Sequence, residues 1–108
     1  MLDSNTPVKI KIPYPEIEQF CQRWQIKEFY LFGSVLRTDF SNQSDIDVMV
    51  QSFPNPNWGW NIVTMNDELE QIFGRKVDLV FKDAIERSNN WLRRDDILES
   101  ARLVYEQK

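Results

Sequence analysis

Histidine is absent from this 108-residue chain, and cysteine occurs once, as Cys21. Without histidine no Ser-His-Asp triad or Cys-His pair is available, and a zinc site loses its commonest nitrogen ligand. A lone cysteine excludes an internal disulfide framework and any multi-cysteine zinc site. Positive charge is also short: 13 Lys and Arg stand against 17 Asp and Glu, a formal net charge of −4. Nonspecific nucleic-acid binding depends on dense lysine and arginine, so no direct nucleic-acid contact is expected. No apolar run approaches a membrane span, and the opening residues MLDSNTP lack the charged and apolar regions of a signal peptide. The chain therefore reads as cytoplasmic, with no membrane partner. A hydrophobic content of 42% and an aromatic content of 13% argue for a folded globule. The length suits a single domain over 1–108, with residues 1–14 as an N-terminal arm. Of the side chains that commonly hold metals, the carboxylates remain.

The stretch from Tyr30 to Val50, YLFGSVLRTDFSNQSDIDVMV, concentrates the chemistry. Tyr30-Leu31-Phe32 reads as a short buried strand, after which Gly33-Ser34 turns the chain into a helical start at Val35. Such a turn presents backbone N–H groups to an anion. Ten residues after Ser34 comes a second strand, Asp45-Ile46-Asp47-Val48-Met49-Val50. Its alternation puts Ile46, Val48 and Val50 on one face and Asp45 and Asp47 on the other. Two such carboxylates have Cα atoms about 6.5–7 Å apart, and aspartate is depleted in strands. A hard divalent cation between them is the natural compensation, since Mg²⁺ prefers carboxylates together with substrate phosphates. Further on, Lys76-Val77-Asp78-Leu79-Val80-Phe81 has one aspartate among apolar neighbours. If this strand lies beside the first with Asp78 on the same face, three carboxylates converge. Three are enough for two metals about 3.5–4 Å apart, which clamp both oxygens of an in-line phosphoryl displacement.

Gly33-Ser34, ten residues, Asp45-x-Asp47 and a later strand bearing Asp78 together resemble the nucleotidyltransferase superfamily of DNA polymerase beta. The short length further resembles its minimal nucleotidyltransferase (MNT) branch, the antitoxin partners of HEPN-domain toxins. Thr38 follows Arg37 where many members carry glycine. The resemblance implies an α/β (α+β) fold, a small mixed sheet packed against helices. It also implies transfer of AMP from ATP to a hydroxyl, a tyrosine of a partner HEPN toxin that is thereby silenced. In that reaction Asp45 and Asp47 hold the metal on the triphosphate and share a second with Asp78. Asp78 also accepts the acceptor's proton, while Gly33 and Ser34 seat the outgoing phosphates. Two Mg²⁺ ions are expected, with Mn²⁺ as the alternative. Arg37 either reaches the triphosphate or is a solvated partner of Asp39. Two other functions compete: a non-catalytic antitoxin that neutralises its toxin by covering it, and a nucleotidyltransferase acting on a small molecule or RNA end.

The remaining segments read as scaffold. In the arm, Val8, Ile10 and Ile12 alternate with Lys9 and Lys11, the pattern of an edge strand or of a partner-contacting segment. From Pro15, Ile17, Phe20, Cys21 and Trp24 recur at helical spacing, with Cys21 as a small core residue. Thr38 to Ser44 is a polar connection and Ser52 to Trp60 a loop. Trp58 and Trp60 either staple the next helix to the core or stack on a base or partner. That helix carries Ile62, Met65, Leu69, Ile72 and Phe73, stops at Gly74 and crosses over to the Asp78 strand. From Ser88 the tail reads as a C-terminal helix with Ile97, Leu98, Ala101, Val104 and Tyr105 as its stripe. Arg93-Arg94 is its solvated face, or meets an acidic partner or a nucleotide phosphate.

Overall fold

The computed structural model describes residues 12–33, 45–53 and 62–107. Helix α1 (Tyr14–Trp24) starts at a proline-compatible first turn and ends where Gln25 takes the left-handed conformation, φ 58°. Its stripe of Ile17, Phe20 and Cys21 is fully buried against the sheet. Trp24 donates through Nε1 to Glu68 Oε1 at 3.0 Å, and Arg23 pairs with the same carboxylate, which ties α1 to α2 (Ile62–Phe73). As expected, α2 stops at Gly74, whose φ of 72° and N–H to the Glu70 carbonyl at 2.8 Å close the helix.

Four strands, β1 (Ile26–Phe32), β2 (Ile46–Ser52), β3 (Val77–Phe81) and β4 (Arg102–Glu106), form one mixed sheet in the order β3-β2-β1-β4. β2 and β3 are parallel through the α2 crossover, and the other pairs are antiparallel. This is the small mixed sheet packed on helices that the sequence implied. Strand β1 is longer than the expected Tyr30–Phe32. A register shift between Ile26 and Glu28 resets the alternation, so Ile26 and Phe29, three residues apart, are both buried. That bulge hides the strand from a period-two reading.

The tail corrects an expectation. Helix α4 (Trp91–Ser100) is capped by Asn90, whose side chain accepts from the Arg93 N–H at 3.3 Å. It ends at Ala101, where ψ reaches 140° and the chain continues as β4. Val104 and Tyr105 thus belong to a strand beside β1, not to the helical stripe of Ile97 and Leu98. The stripe's spacing suits a helix, but pairing with β1 satisfies the backbone of Arg102–Glu106 and buries Val104. Nothing local announces that gain.

The two faces of the sheet are covered differently. Phe29, Leu31, Ile46, Val48, Val50 and Val77 pack under α1 and α2. On the opposite face Phe32 and Met49 pack against Ile97 of α4, with Tyr30, Val80, Leu98 and Ala101 around them. Towards the far end of that face, the short helix α3 (Lys82–Glu86) is held to the sheet by a polar trio. Tyr30 donates its hydroxyl to Glu28 Oε1 at 2.8 Å, and Lys82 Nζ lies 3.3 Å from both oxygens. Burial, then the hydrogen bond to Glu28, pushes the Tyr30 hydroxyl above its ordinary pKa. Burial alone would lower Lys82, yet its contacts with Tyr30 and Glu28 outweigh it and raise the ammonium.

Cys21 lies inside the α1 face, and burial pushes its thiol from 9.0 up to about 12. The native thiol is therefore expected to resist DTNB at pH 8 and to react on unfolding in urea. Because the folded thiol ionises later than the unfolded one, its contribution to stability is intact below pH 9 and falls as pH rises towards 12. Rapid labelling of the native chain would show the helix opening without global unfolding.

Candidate active site

Gly33, Asp47 and Asp78 meet at one end of the sheet, where β1 finishes and β2 and β3 begin. Phe32 and Asp47 are register partners across β1 and β2, and Asp47 and Asp78 are partners across β2 and β3. Adjacent strands lie about 4.8 Å apart, so the two aspartates stand side by side on the face that Met49 and Val80 also share. Gly33 follows directly with φ +78°, a conformation that favours glycine. A Cβ built on Gly33 would lie 2.1 Å from Asp47 Oδ2, so the missing side chain is what makes room for the carboxylate.

Across from this corner runs α4, its rotation fixed by the buried Ile97. Arg93, Asp96 and Ser100 recur at i, i+3 and i+7 and so share one face of the helix, beside the stripe that Ile97 buries. Together with Glu99 and with Arg102 at the start of β4, they close a cleft of about 590 Å³ whose floor is Phe32, Gly33, Asp47 and Asp78. That volume is in the range of small-molecule and cofactor sites.

The expected site residues are distributed unevenly. Gly33, Asp47 and Asp78 line the cleft. Asp45 is exposed just ahead of β2 and is not among the lining residues. Ser34 and Arg37 lie outside the described residues, as do Trp58, Trp60 and the arm before Ile12. Among the described residues no group of three His, Cys, Asp or Glu side chains is arranged to hold a metal ion. The donor chemistry nonetheless fits a hard cation of the magnesium type. Two neighbouring carboxylates supply oxygen ligands, and Mg²⁺ commonly takes one or two of these with water and substrate phosphates for the rest.

Sequence reasoning left out Asp96, Glu99, Ser100 and Arg102. Asp96 and Ser100 could have been found from their offsets of three and seven residues from Arg93. Arg102 could not, because the tail was read as continuous helix.

A family model, described as nucleotidyltransferase domain, matches residues 17–104 of the chain, which takes in the sheet, the helices and the cleft. The chain belongs to the nucleotidyltransferase domain family. Among curated relatives of this nucleotidyltransferase, a Methanocaldococcus jannaschii protein whose name proposes protein adenylyltransferase activity is 34% identical over 64 residues. The match covers 59% of this chain and 64% of that relative. The protein adenylyltransferase MntA of Thermococcus cleftensis is 30% identical over 64 residues, again 59% of this chain and 64% of the relative. The match thus spans somewhat less than two thirds of either relative's length.

Solved structures share the nucleotidyltransferase fold. A toxin-antitoxin crystal structure with AMP-PNP superposes with a TM-score of 0.66 at 17% identity, over 90% of this chain and 76% of that one. A candidate minimal nucleotidyltransferase superposes with a TM-score of 0.63 at 24% identity, over 82% and 85%. At these identities the likeness is one of fold.

Proposed function

We propose that this nucleotidyltransferase moves AMP from ATP to a hydroxyl on a partner protein, a tyrosine of a HEPN toxin, and so acts as its antitoxin in the cytoplasm. The observation that carries the proposal is the side-by-side placement of Asp47 and Asp78 in a cleft of cofactor size, with Gly33 leaving space for the Asp47 carboxylate. Kinship with proteins named protein adenylyltransferases supports the reaction, and a fold shared with a toxin-antitoxin structure supports the partner. A protein acceptor also suits the surface beside the cleft. Trp91 and Leu92, next to Arg93, are 59% and 66% exposed. Among the described residues no helix is long and apolar enough to cross a membrane.

In the proposed reaction the acceptor oxygen bonds to the α-phosphorus of ATP as the bond to the bridging oxygen breaks, and pyrophosphate leaves. Asp47 and Asp78 would hold Mg²⁺, or Mn²⁺, and Asp45, exposed just ahead of β2, would join them as a further ligand on turning its side chain into the cleft. A cation bound there supplies positive charge for the triphosphate and makes the acceptor hydroxyl more acidic. Asp78, the more exposed of the lining pair, takes the hydroxyl proton. Gly33 and Ser34 seat the departing phosphates, where negative charge builds. Arg37 is the further candidate for nucleotide contact.

The test is the intact mass of a candidate HEPN toxin from the same genome, after incubation with the chain, ATP and Mg²⁺. One or more added AMP units are expected, and none when the cation is chelated with EDTA. A stable complex that silences the toxin with no added mass would overturn the transfer reading in favour of neutralisation by binding alone.

A further inference from the structure

We infer that Arg93 is the residue by which α4 recognises the polyphosphate of the nucleotide, a role that rests on reading the cleft as a nucleotide site. Arg93 and Arg94 are adjacent and equally charged, but the fold uses them differently. Arg94 is engaged along its own helix, with Nε 3.2 Å from Asp95 Oδ1. Arg93 lines the cleft opposite Asp47 and Asp78, and its guanidinium forms no ion pair among the described residues.

The cleft lining carries four carboxylates, Asp47, Asp78, Asp96 and Glu99, against two cations, Arg93 and Arg102. A polyphosphate entering that cleft is repelled by each carboxylate that no cation compensates. The aspartate pair would answer part of this by holding a metal on the sheet side. From the helix wall Arg93 offers planar donors suited to two phosphate oxygens at once, and Arg102, the other cation of the lining, already has a partner. Ile97, buried one turn later, holds the helix so that Arg93 faces the cleft whether or not a ligand is bound. The position is therefore prepared in advance. Contact with the phosphates beyond the first would make Arg93 a determinant for nucleoside triphosphates over monophosphates.

Titration calorimetry of the full chain with ATP, tripolyphosphate and AMP, each with Mg²⁺, tests this directly. Arg93→Ala should weaken ATP and tripolyphosphate about ten- to a hundredfold, the range of a hydrogen bond to a charged group. AMP affinity should stay as in wild type, and Arg94→Ala should match wild type for all three. Arg93→Lys should recover part of the loss, because it restores charge without the planar fork. Circular dichroism establishes that each variant is folded, and Arg93→Gln, which keeps most of the stem, replaces the alanine variant if that one is not. Wild-type affinity for tripolyphosphate in a folded Arg93→Ala or Arg93→Gln chain would overturn the assignment and leave the nucleotide site standing. An equal loss for AMP, or the same loss in Arg94→Ala, would also overturn it by making the effect general. A wild-type chain that binds neither ATP nor tripolyphosphate would overturn the nucleotide reading and the role of Arg93 together.

Discussion

Asp47→Asn is expected to lower AMP transfer on the order of a thousandfold or more, at least as much as removal of one preorganised transition-state donor, while leaving the chain as stable as wild type. The substitution is nearly isosteric, so the packing of Phe32, Gly33 and Met49 around position 47 survives. What changes is charge. Asp47 and Asp78 are register neighbours, and like charges side by side on adjacent strands repel. Neutralising one of them while keeping its shape should leave the thermal midpoint near that of wild type, even as the pair loses its grip on a divalent cation. The two readouts are adduct mass on the acceptor and melting followed by circular dichroism. Activity lost with stability kept marks a residue retained for chemistry at some cost to the fold. A large drop in melting temperature would make Asp47 a structural residue, and full activity would remove it from the reaction.

Gly33→Ala should combine loss of function with loss of stability. A non-glycine residue at φ +78° costs about 1–2 kcal/mol in backbone strain, worth roughly 4–8 °C per kcal/mol in a domain of about this size. The new methyl would also stand 2.1 Å from Asp47 Oδ2, so the carboxylate, the backbone or both must shift. Misplacing a catalytic group by about 1 Å costs on the order of a hundredfold in rate. Gly74→Ala separates the two effects. Gly74 has nearly the same conformation, φ +72°, but a Cβ there meets nothing within 4 Å. It should lose stability from strain alone and keep its activity. If both variants lost activity equally, destabilisation and not the Asp47 contact would explain Gly33. If Gly33→Ala kept full activity, the close approach to Asp47 would have no catalytic meaning.

Much of the scaffold was legible because its determinants are local. The apolar spacing of Ile17, Phe20 and Cys21 specifies a buried helical face, and that of Met65 and Leu69 specifies another that ends at Gly74. Alternation in Ile46–Val50 separates Asp47 from Ile46, Val48 and Val50, and the folded strand keeps them on opposite faces. The full extent of β1 was not legible, because a bulge at its start breaks the alternation. The tail was misread for a related reason. Ile97, Leu98, Ala101 and Val104 fit a helical period, and only the unfilled edge of β1 makes a strand of Arg102–Glu106 the better outcome.

The sequence by itself determined which groups are available for chemistry: aspartates at strand positions, a glycine ahead of them, no histidine and a single cysteine. It also determined on which face of its own strand Asp47 stands, because side-chain direction follows from backbone period within a few residues. Only the tertiary structure decided that Asp78 lies beside Asp47 and that Asp45 stays outside the cleft lining. It alone turned Arg93, and not Arg94, towards the pair from α4. Those relations depend on strand register, on the anchoring of Ile97 and on a β4 that completes the sheet. Each is set by hydrogen bonds and packing between segments tens of residues apart, which no local pattern records.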